Sequence, residues 1–263
     1  MPPITAPPQF DADRARHLAA QTLDIEAAGI LRVKAALGDS FAHAVQAMLA
    51  CSGRVIVMGM GKSGHVGRKV AATLASTGTP SHFVHPGEAS HGDLGMVTSG
   101  DLVLAISNSG ESDELNVVLP IVKRLGVPIV AMTGRADSSL ARHATLVLSS
   151  AVDQEACPLN LAPTTSTTAQ MALGDALAVA LLDARGFEES DFARSHPGGA
   201  LGRKLLTLVS DLMRVGEAVP RVAPASSASE VLRTMSSKGI GCTAVVGSDG
   251  KPVGVFTDGD LRR

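Results

Sequence analysis

The chain has 263 residues, of which 45% are hydrophobic and 2% aromatic, with no Trp, no Tyr and a formal net charge of −2. That length admits one α/β domain of ~150–200 residues and a small second unit, while the scarcity of aromatic faces excludes a stacking platform for single-stranded nucleic acid and the charge balance excludes a basic field drawing the chain to DNA or an anionic membrane. Cys51, Cys157 and Cys242 form no CxxC pair, the N-terminal residues hold no apolar signal core, and no long uncharged apolar stretch exists, so the expectation is a cytoplasmic protein with no disulfide framework and no membrane span.

Residues 1–10 read as a disordered, Pro-rich tail. From Asp11 to Leu37, Leu18, Leu23, Ile25, Ile30, Val33 and Leu37 recur at roughly helical spacing and predict an amphipathic helix. Ser40 is placed to N-cap a second helix running through Cys51. Short apolar runs then alternate with helical segments. Strands are predicted at Arg54–Met60, Ser81–Val84, Asp101–Ser107, Pro128–Thr133 and Thr145–Ser149, and helices at Gly61–Ala75, from Ser112 to Leu125, and at Thr164–Arg185. His85–Asp93 and 151–163 read as polar loops. Five apolar strands separated by helices predict an α/β fold, a doubly wound five-stranded parallel sheet flanked by helices. Ligands of such sheets sit beyond the carboxyl ends of the strands.

A second, small α+β unit starts near residue 208, with a helix at Ser229–Ser237 and a hairpin formed by Cys242–Val246 and Val253–Phe256.

Five segments carry candidate chemistry. Gly59-Met60-Gly61-Lys62-Ser63-Gly64 follows a strand and opens a helix, where backbone amides and the helix dipole favour an anion. It is neither a Walker A motif nor a clean GxGxxG, and alone it reads equally as a tight packing turn. Ser107-Asn108-Ser109-Gly110-Glu111-Ser112 repeats the arrangement one strand later, with more hydroxyls than capping requires. His85 to Asp93 holds two histidines and two carboxylates that could bind metal, catalyse or stay solvated. Glu155-Ala156-Cys157-Pro158 precedes a Thr- and Ser-rich helix start at 164–168, and His196 precedes Pro197-Gly198-Gly199.

Together these strings resemble the sugar isomerase (SIS) domain family, and within it the arabinose-5-phosphate isomerases of the 3-deoxy-D-manno-octulosonate (Kdo) pathway. The resemblance is carried by GMGKSGH at 59–65, STGTP at 76–80, FVHPGE at 83–88, HGDLGM at 91–96, SNSGES at 107–112, EACPL at 155–159, LAPT at 161–164, GDALAVALL at 174–182 and SHPGGALGR at 195–203. It implies an SIS domain over 11–207 that converts a pentose phosphate between aldose and ketose forms, feeding Kdo and lipopolysaccharide or capsule assembly. It places the phosphate on Ser107, Ser109 and Ser112, further substrate contacts at Ser63, Gly78, Thr79, His85 and His91, and catalytic residues at Lys62, Glu114, Glu155 and His196. No cofactor is implied; zinc is expected only as an inhibitor, held by His85. A homotetramer is implied, with His196 completing a neighbouring subunit's site. Residues 208–263, with Gly254-Val255-Phe256-Thr257-Asp258-Gly259-Asp260, resemble the first of two cystathionine-β-synthase (CBS) repeats, a complete pair of which would hold an adenosyl nucleotide. Only the first repeat is expected within these residues.

Aldose–ketose isomerisation moves a proton between C2 and C1 through a cis-enediolate, and needs a carbon base, a proton carrier for two oxygens and a cation. The expected assignment is Glu155 as carbon base, its pKa raised by burial, His196 for ring opening or oxygen proton transfer, Lys62 for charge stabilisation and Glu114 for orientation. Two alternatives stand beside it: another SIS phosphosugar isomerase, and a sugar-phosphate-sensing regulator. The latter would require a basic helix-turn-helix segment that is not evident before residue 52.

Overall fold

Each central strand feeds two cores, because successive side chains leave a strand on opposite faces. In the computed structural model, which describes residues 10–262, Val55 and Val57 face one cluster while Ile56 and Met58 face the other. The expected tail therefore lies outside the described residues apart from Phe10. The larger unit runs to Gly202. It begins with α1 (Ala12–Ala35), capped by the Asp11 carboxylate on the Arg14 N–H, and α2 (Asp39–Ala50). The sheet elements follow: β1 (Val55–Gly59), α3 (Gly61–Ser76), β2 (Ser81–Phe83), α4 (Pro86–Ala89), β3 (Leu102–Ile106), α5 (Asp113–Arg124), β4 (Ile129–Thr133), α6 (Ser139–His143), β5 (Leu146–Ser149), α7 (Thr165–Ala184) and α8 (Glu189–Ser195).

All four strand pairings are parallel, and the order is β2-β1-β3-β4-β5. The chain moves outward from β1 to β2, then crosses back to β3 and continues the other way. This reversal puts α3 with α7 over one face, packed on Val55, Val57, Leu104 and Ile106, and α5 over the other, packed on Ile56, Met58, Val103 and Ala105. The predicted doubly wound fold is thus present.

Several local expectations are corrected. Ser40 does not cap α2; Gly38 is the N-cap, and Asp39 already supplies a first-turn carboxylate. His85–Asp93 is not wholly loop, because Pro86 presets φ at the first helical position and starts α4. Two short helices have no apolar stripe long enough to announce them. In α6 the Ser138 hydroxyl caps the Ala141 N–H, and α8 is closed by a Glu188/Asp191 capping box. The apolar stripe of α1 is also not buried in this chain: Leu23 is 67% and Leu31 62% exposed, and only Gly29 and Val33 are buried.

Residues Arg203–Arg263 form the second compact unit. Helix α9 (Ala200–Leu206) carries the division, a little earlier in the chain than expected, and α10 (Val209–Leu212) follows. A three-stranded sheet pairs β6 (Arg221–Val222) parallel with β7 (Cys242–Val246), and β7 antiparallel with β8 (Pro252–Thr257). Helix α11 (Ala228–Lys238) contributes Val231 and Met235 to a small core with Val222, and α12 (Asp258–Leu261) follows β8. No helix among the described residues is long and apolar enough to cross a membrane.

The α3–α7 packing is close enough to be tested. A Cβ at Gly174 would stand 2.4 Å from Val70 Cγ2, and the same surface carries a Lys69–Asp175 ion pair. Gly174→Val is expected to lower stability by about 1–3 kcal/mol through overpacking, measured by urea unfolding, with partial recovery in Gly174→Val/Val70→Ala. Wild-type stability in the single variant would show that the two helices separate without cost.

Candidate active site

A cavity of about 360 Å³ opens at the carboxyl edge of the sheet between the ends of β1 and β3, where the strand order reverses. Crevices form there because helices leaving neighbouring strands diverge to opposite faces. The lining residues come from three helix starts: Met60, Lys62 and Ser63 at α3, Ser107, Asn108, Ser109 and Ser112 before α5, and Pro163, Ser166 and Thr167 at α7. Helix N-termini carry unpaired N–H groups and partial positive charge, so their convergence favours an anion.

The turn 107–112 is held from below. Gly110 has φ +67°, and a Cβ there would meet Ser138, which is fully buried. The Leu140 N–H donates to the Gly110 carbonyl at 3.0 Å, and the Gly134 N–H to the Asn108 carbonyl at 3.1 Å. The Glu111 carboxylate accepts the Ser139 N–H at 2.9 Å. The Ser139 hydrogen bonds hold Glu111 below the usual glutamate range. The turn is therefore fixed before any ligand arrives.

The hydroxyls within it differ in where their protons go. Ser107 Oγ accepts the Gly110 N–H at 3.1 Å and Ser109 Oγ accepts the Glu111 N–H at 3.3 Å. An oxygen that is already an acceptor keeps its own proton for another partner. Ser112, the third expected phosphate ligand, instead donates to Glu114 Oε2 at 3.1 Å, so in this arrangement it offers no proton to a phosphate. On the other wall, Ser63 donates to Gln170 Oε1 at 3.1 Å.

Glu155 departs from its expected state. Its Oε2 accepts the Thr164 N–H at 2.8 Å, the Ser166 N–H at 3.1 Å and the Thr164 hydroxyl at 3.2 Å, while Oε1 takes the Ser166 hydroxyl. Burial raises the pKa, but the Ser166 and Thr164 hydrogen bonds outweigh it and hold the carboxyl below the usual glutamate range. Glu155 is therefore an ionised cap on α7, not a carboxyl pushed toward neutrality. It lines a separate groove of about 470 Å³ against α1.

Five of the expected residues, Lys62, Ser63, Ser107, Ser109 and Ser112, meet at the cavity. Glu114 stands beside it through Ser112. His85 and His91 follow β2, one strand over; the His85 Nδ1 is buried without a hydrogen bond among the described residues, and His91 is exposed. Among the described residues, no group of three or more His, Cys, Asp or Glu gathers as for a metal ion. Gly78 and Thr79 lie at the opposite edge of the sheet, because α3 carries the chain back to the start of β1, where the Pro80 carbonyl accepts the Val55 N–H. There the Thr79 hydroxyl accepts Arg185 Nε at 3.2 Å, and a Cβ on Gly78 would meet Phe187. The expectation that these two contact substrate beside the phosphate does not hold within one chain. His196 likewise does not line the cavity; its ring stacks on Phe192 with centroids 4.0 Å apart, and Nδ1 lies 3.1 Å from the Phe192 carbonyl. Asn108, Pro163, Ser166 and Thr167 line the cavity without having been singled out as site residues. Asn108 and Pro163 fall inside the strings SNSGES and LAPT, whereas for Ser166 and Thr167 the signal was the hydroxyl-rich run 164–168 at a helix start.

Residues 48–180 match the SIS domain family and residues 209–263 the CBS domain family. The chain is similar to the arabinose 5-phosphate isomerase KdsD of Pseudomonas aeruginosa, at 57% identity over 247 residues that cover 94% of this chain and 76% of that protein. It is similar to the protein of the same name from Escherichia coli K12, at 54% identity over 256 residues covering 97% and 77%. Among solved structures, an Escherichia coli CFT073 protein in complex with arabinose 5-phosphate has a TM-score of 0.69 at 41% identity, covering 72% of this chain and 100% of that one.

The capping role of Glu155 has a pH signature. A carboxyl whose pKa is depressed on folding stabilises above its unfolded pKa, and that contribution is lost as pH falls through the folded value. Glu155→Gln is expected to melt below wild type at neutral pH, with the gap closing as pH drops beneath the ordinary glutamate range. A gap that widens on acidification would contradict the ionised cap.

Proposed function

Because this chain belongs to the SIS-domain family and has arabinose 5-phosphate isomerases as its relatives, we propose that it is an aldose–ketose isomerase interconverting D-arabinose 5-phosphate and D-ribulose 5-phosphate. The observation that carries the reading is the cavity at the strand-order reversal, where a pre-formed hydroxyl turn and three helix starts meet Lys62. Its volume falls in the range of small-molecule sites.

In this reading the phosphate rests on the α5 side, where the Ser107 and Ser109 protons and the helix start are available. The α7 terminus is already capped by Glu155. The sugar extends toward Lys62, whose ammonium stabilises the enediolate oxygen. The C2 proton leaves to a base and returns at C1, while a second proton passes from O2 to O1. Glu114, beside the phosphate turn, and the His196 imidazole carry these transfers, and Glu155 holds the α7 start in place. His196 acts from a neighbouring copy, which accounts for its absence from the cavity of its own chain. The exposed leucines of α1 supply subunit surface for a homotetramer. Zinc inhibits through His85 and is not required for turnover. An adenosyl nucleotide binds a complete pair of CBS repeats, of which this chain contributes the Asp258 cavity lined by Met235, Ser236 and Gly241. The enzyme works in the cytoplasm and feeds Kdo and lipopolysaccharide assembly.

A panel of aldose phosphates, assayed with and without chelator, tests the activity. Arabinose 5-phosphate is expected to be converted, at equal or higher rate with chelator; turnover of another aldose phosphate alone, or activity abolished by chelation and restored by one metal, would overturn the reading. Ser109→Ala is expected to weaken substrate binding by about 1–3 kcal/mol, the worth of a charged hydrogen bond. Solvent deuterium exchange at C2 separates the proton carriers. Folded Glu155→Gln is expected to retain exchange, whereas Glu114→Gln or His196→Asn abolishes it; loss of exchange in Glu155→Gln would return the carbon base to that residue.

A further inference from the structure

Gln170 is an expensive residue where it stands. It lies near the start of α7, against the start of α3, with no exposed surface and one turn beyond Ser166. Its Nε2 is buried and has no hydrogen-bond partner among the described residues. An unsatisfied buried amide N–H is destabilising, and a Leu or Met would fill the space without that penalty. Among the described residues, the hydrogen bond the amide makes is to a cavity residue: its Oε1 accepts the Ser63 hydroxyl proton at 3.1 Å.

A serine has one proton and two lone pairs. With the proton committed to a buried acceptor on α7, Ser63 can present only lone pairs to the cavity. A phosphate oxygen at neutral pH is an acceptor and gains nothing from lone pairs; a sugar hydroxyl is a donor and does. The turn 107–112 has the reverse polarity, since Ser107 and Ser109 accept backbone N–H groups and keep their protons for a ligand. The two walls are thus complementary to the two ends of one molecule.

We propose that Gln170 is a positioning residue that sets Ser63 as a hydrogen-bond acceptor for a sugar hydroxyl, so that the α3 wall reads the sugar end of the substrate and takes no part in holding its phosphate. This rests on the sugar-phosphate reading of the cavity. It extends that reading by fixing the direction in which the ligand lies and by adding a residue that touches no ligand itself.

Titration calorimetry with two probes, arabinose 5-phosphate and inorganic phosphate, tests the proposal without depending on turnover. Ser63→Ala and Gln170→Met are each expected to weaken arabinose 5-phosphate by about tenfold, the scale of one lost hydrogen bond, and to leave inorganic phosphate within about twofold of wild type. Ser109→Ala is expected to weaken both probes. The double variant Ser63→Ala/Gln170→Met is expected to bind no worse than the weaker single, because the two residues act as one unit. The thermal midpoint of Gln170→Met is expected to equal or exceed wild type, since an orphan N–H is gone. Parallel loss of phosphate affinity in Ser63→Ala, wild-type sugar-phosphate affinity in folded Gln170→Met, or additive losses in the double variant would each overturn the proposal. If Gln170→Met does not fold, the phosphate comparison in Ser63→Ala decides. Wild type that binds both probes yet isomerises no aldose phosphate would count against the isomerase reading alone.

Discussion

Between β1 and β3 the chain reverses its direction of travel across the sheet, and α3 and α5 leave those two strands over opposite faces. Nothing in the sheet itself can then close the gap at the strand ends. What lines the gap is decided by whatever starts the helices there: Lys62 and Ser63 for α3, Ser107 to Ser112 for α5, and, from across the sheet, Ser166 and Thr167 for α7. The site is a consequence of the strand order, and the residues with chemistry are those at the helix starts that face the gap.

Three helix N-termini at one cavity would compete for a single anion, and Glu155 takes the α7 start out of that competition. Its carboxylate satisfies the N–H groups of Thr164 and Ser166 and both of their hydroxyls. The partial charge of α7 is therefore neutralised from within the chain, while at the α5 start, whose first turn carries Asp113 and Glu114, the Ser112 side chain makes no capping hydrogen bond among the described residues. An arriving dianion finds the α5 wall open and the α7 wall occupied. The same arrangement explains why burial does not raise Glu155: each hydrogen bond stabilises the ionised form, and together they exceed the desolvation that opposes them.

The sheet was legible in the sequence because a parallel strand is buried on both faces and reads as an unbroken apolar run, as in Ile129–Thr133. The phosphate turn was legible for a related reason, since hydroxyls in excess of capping need at a helix start have few structural uses. What could not be read was three-dimensional in origin. The short helices α4, α6 and α8 are set by local features, Pro86 at the start of α4 and polar caps at α6 and α8, not by an apolar period. That Gly78 and Thr79 fall on the far edge of the sheet follows from the return path of α3, which motif spacing does not encode. The ionised state of Glu155 depends on N–H groups nine and eleven residues away in the chain. Gln170, an ordinary polar residue within an Ala- and Leu-rich helix, becomes informative only once its burial is known.

The account turns on where the two ends of the ligand lie. A crystal structure of the protein with arabinose 5-phosphate measures this directly. The account predicts the phosphate within hydrogen-bond reach of the Ser107 and Ser109 hydroxyls, and a sugar hydroxyl facing Ser63 Oγ. A phosphate seated on the α3 or α7 start, or a ligand lodged in the groove between α1 and Glu155, would contradict it.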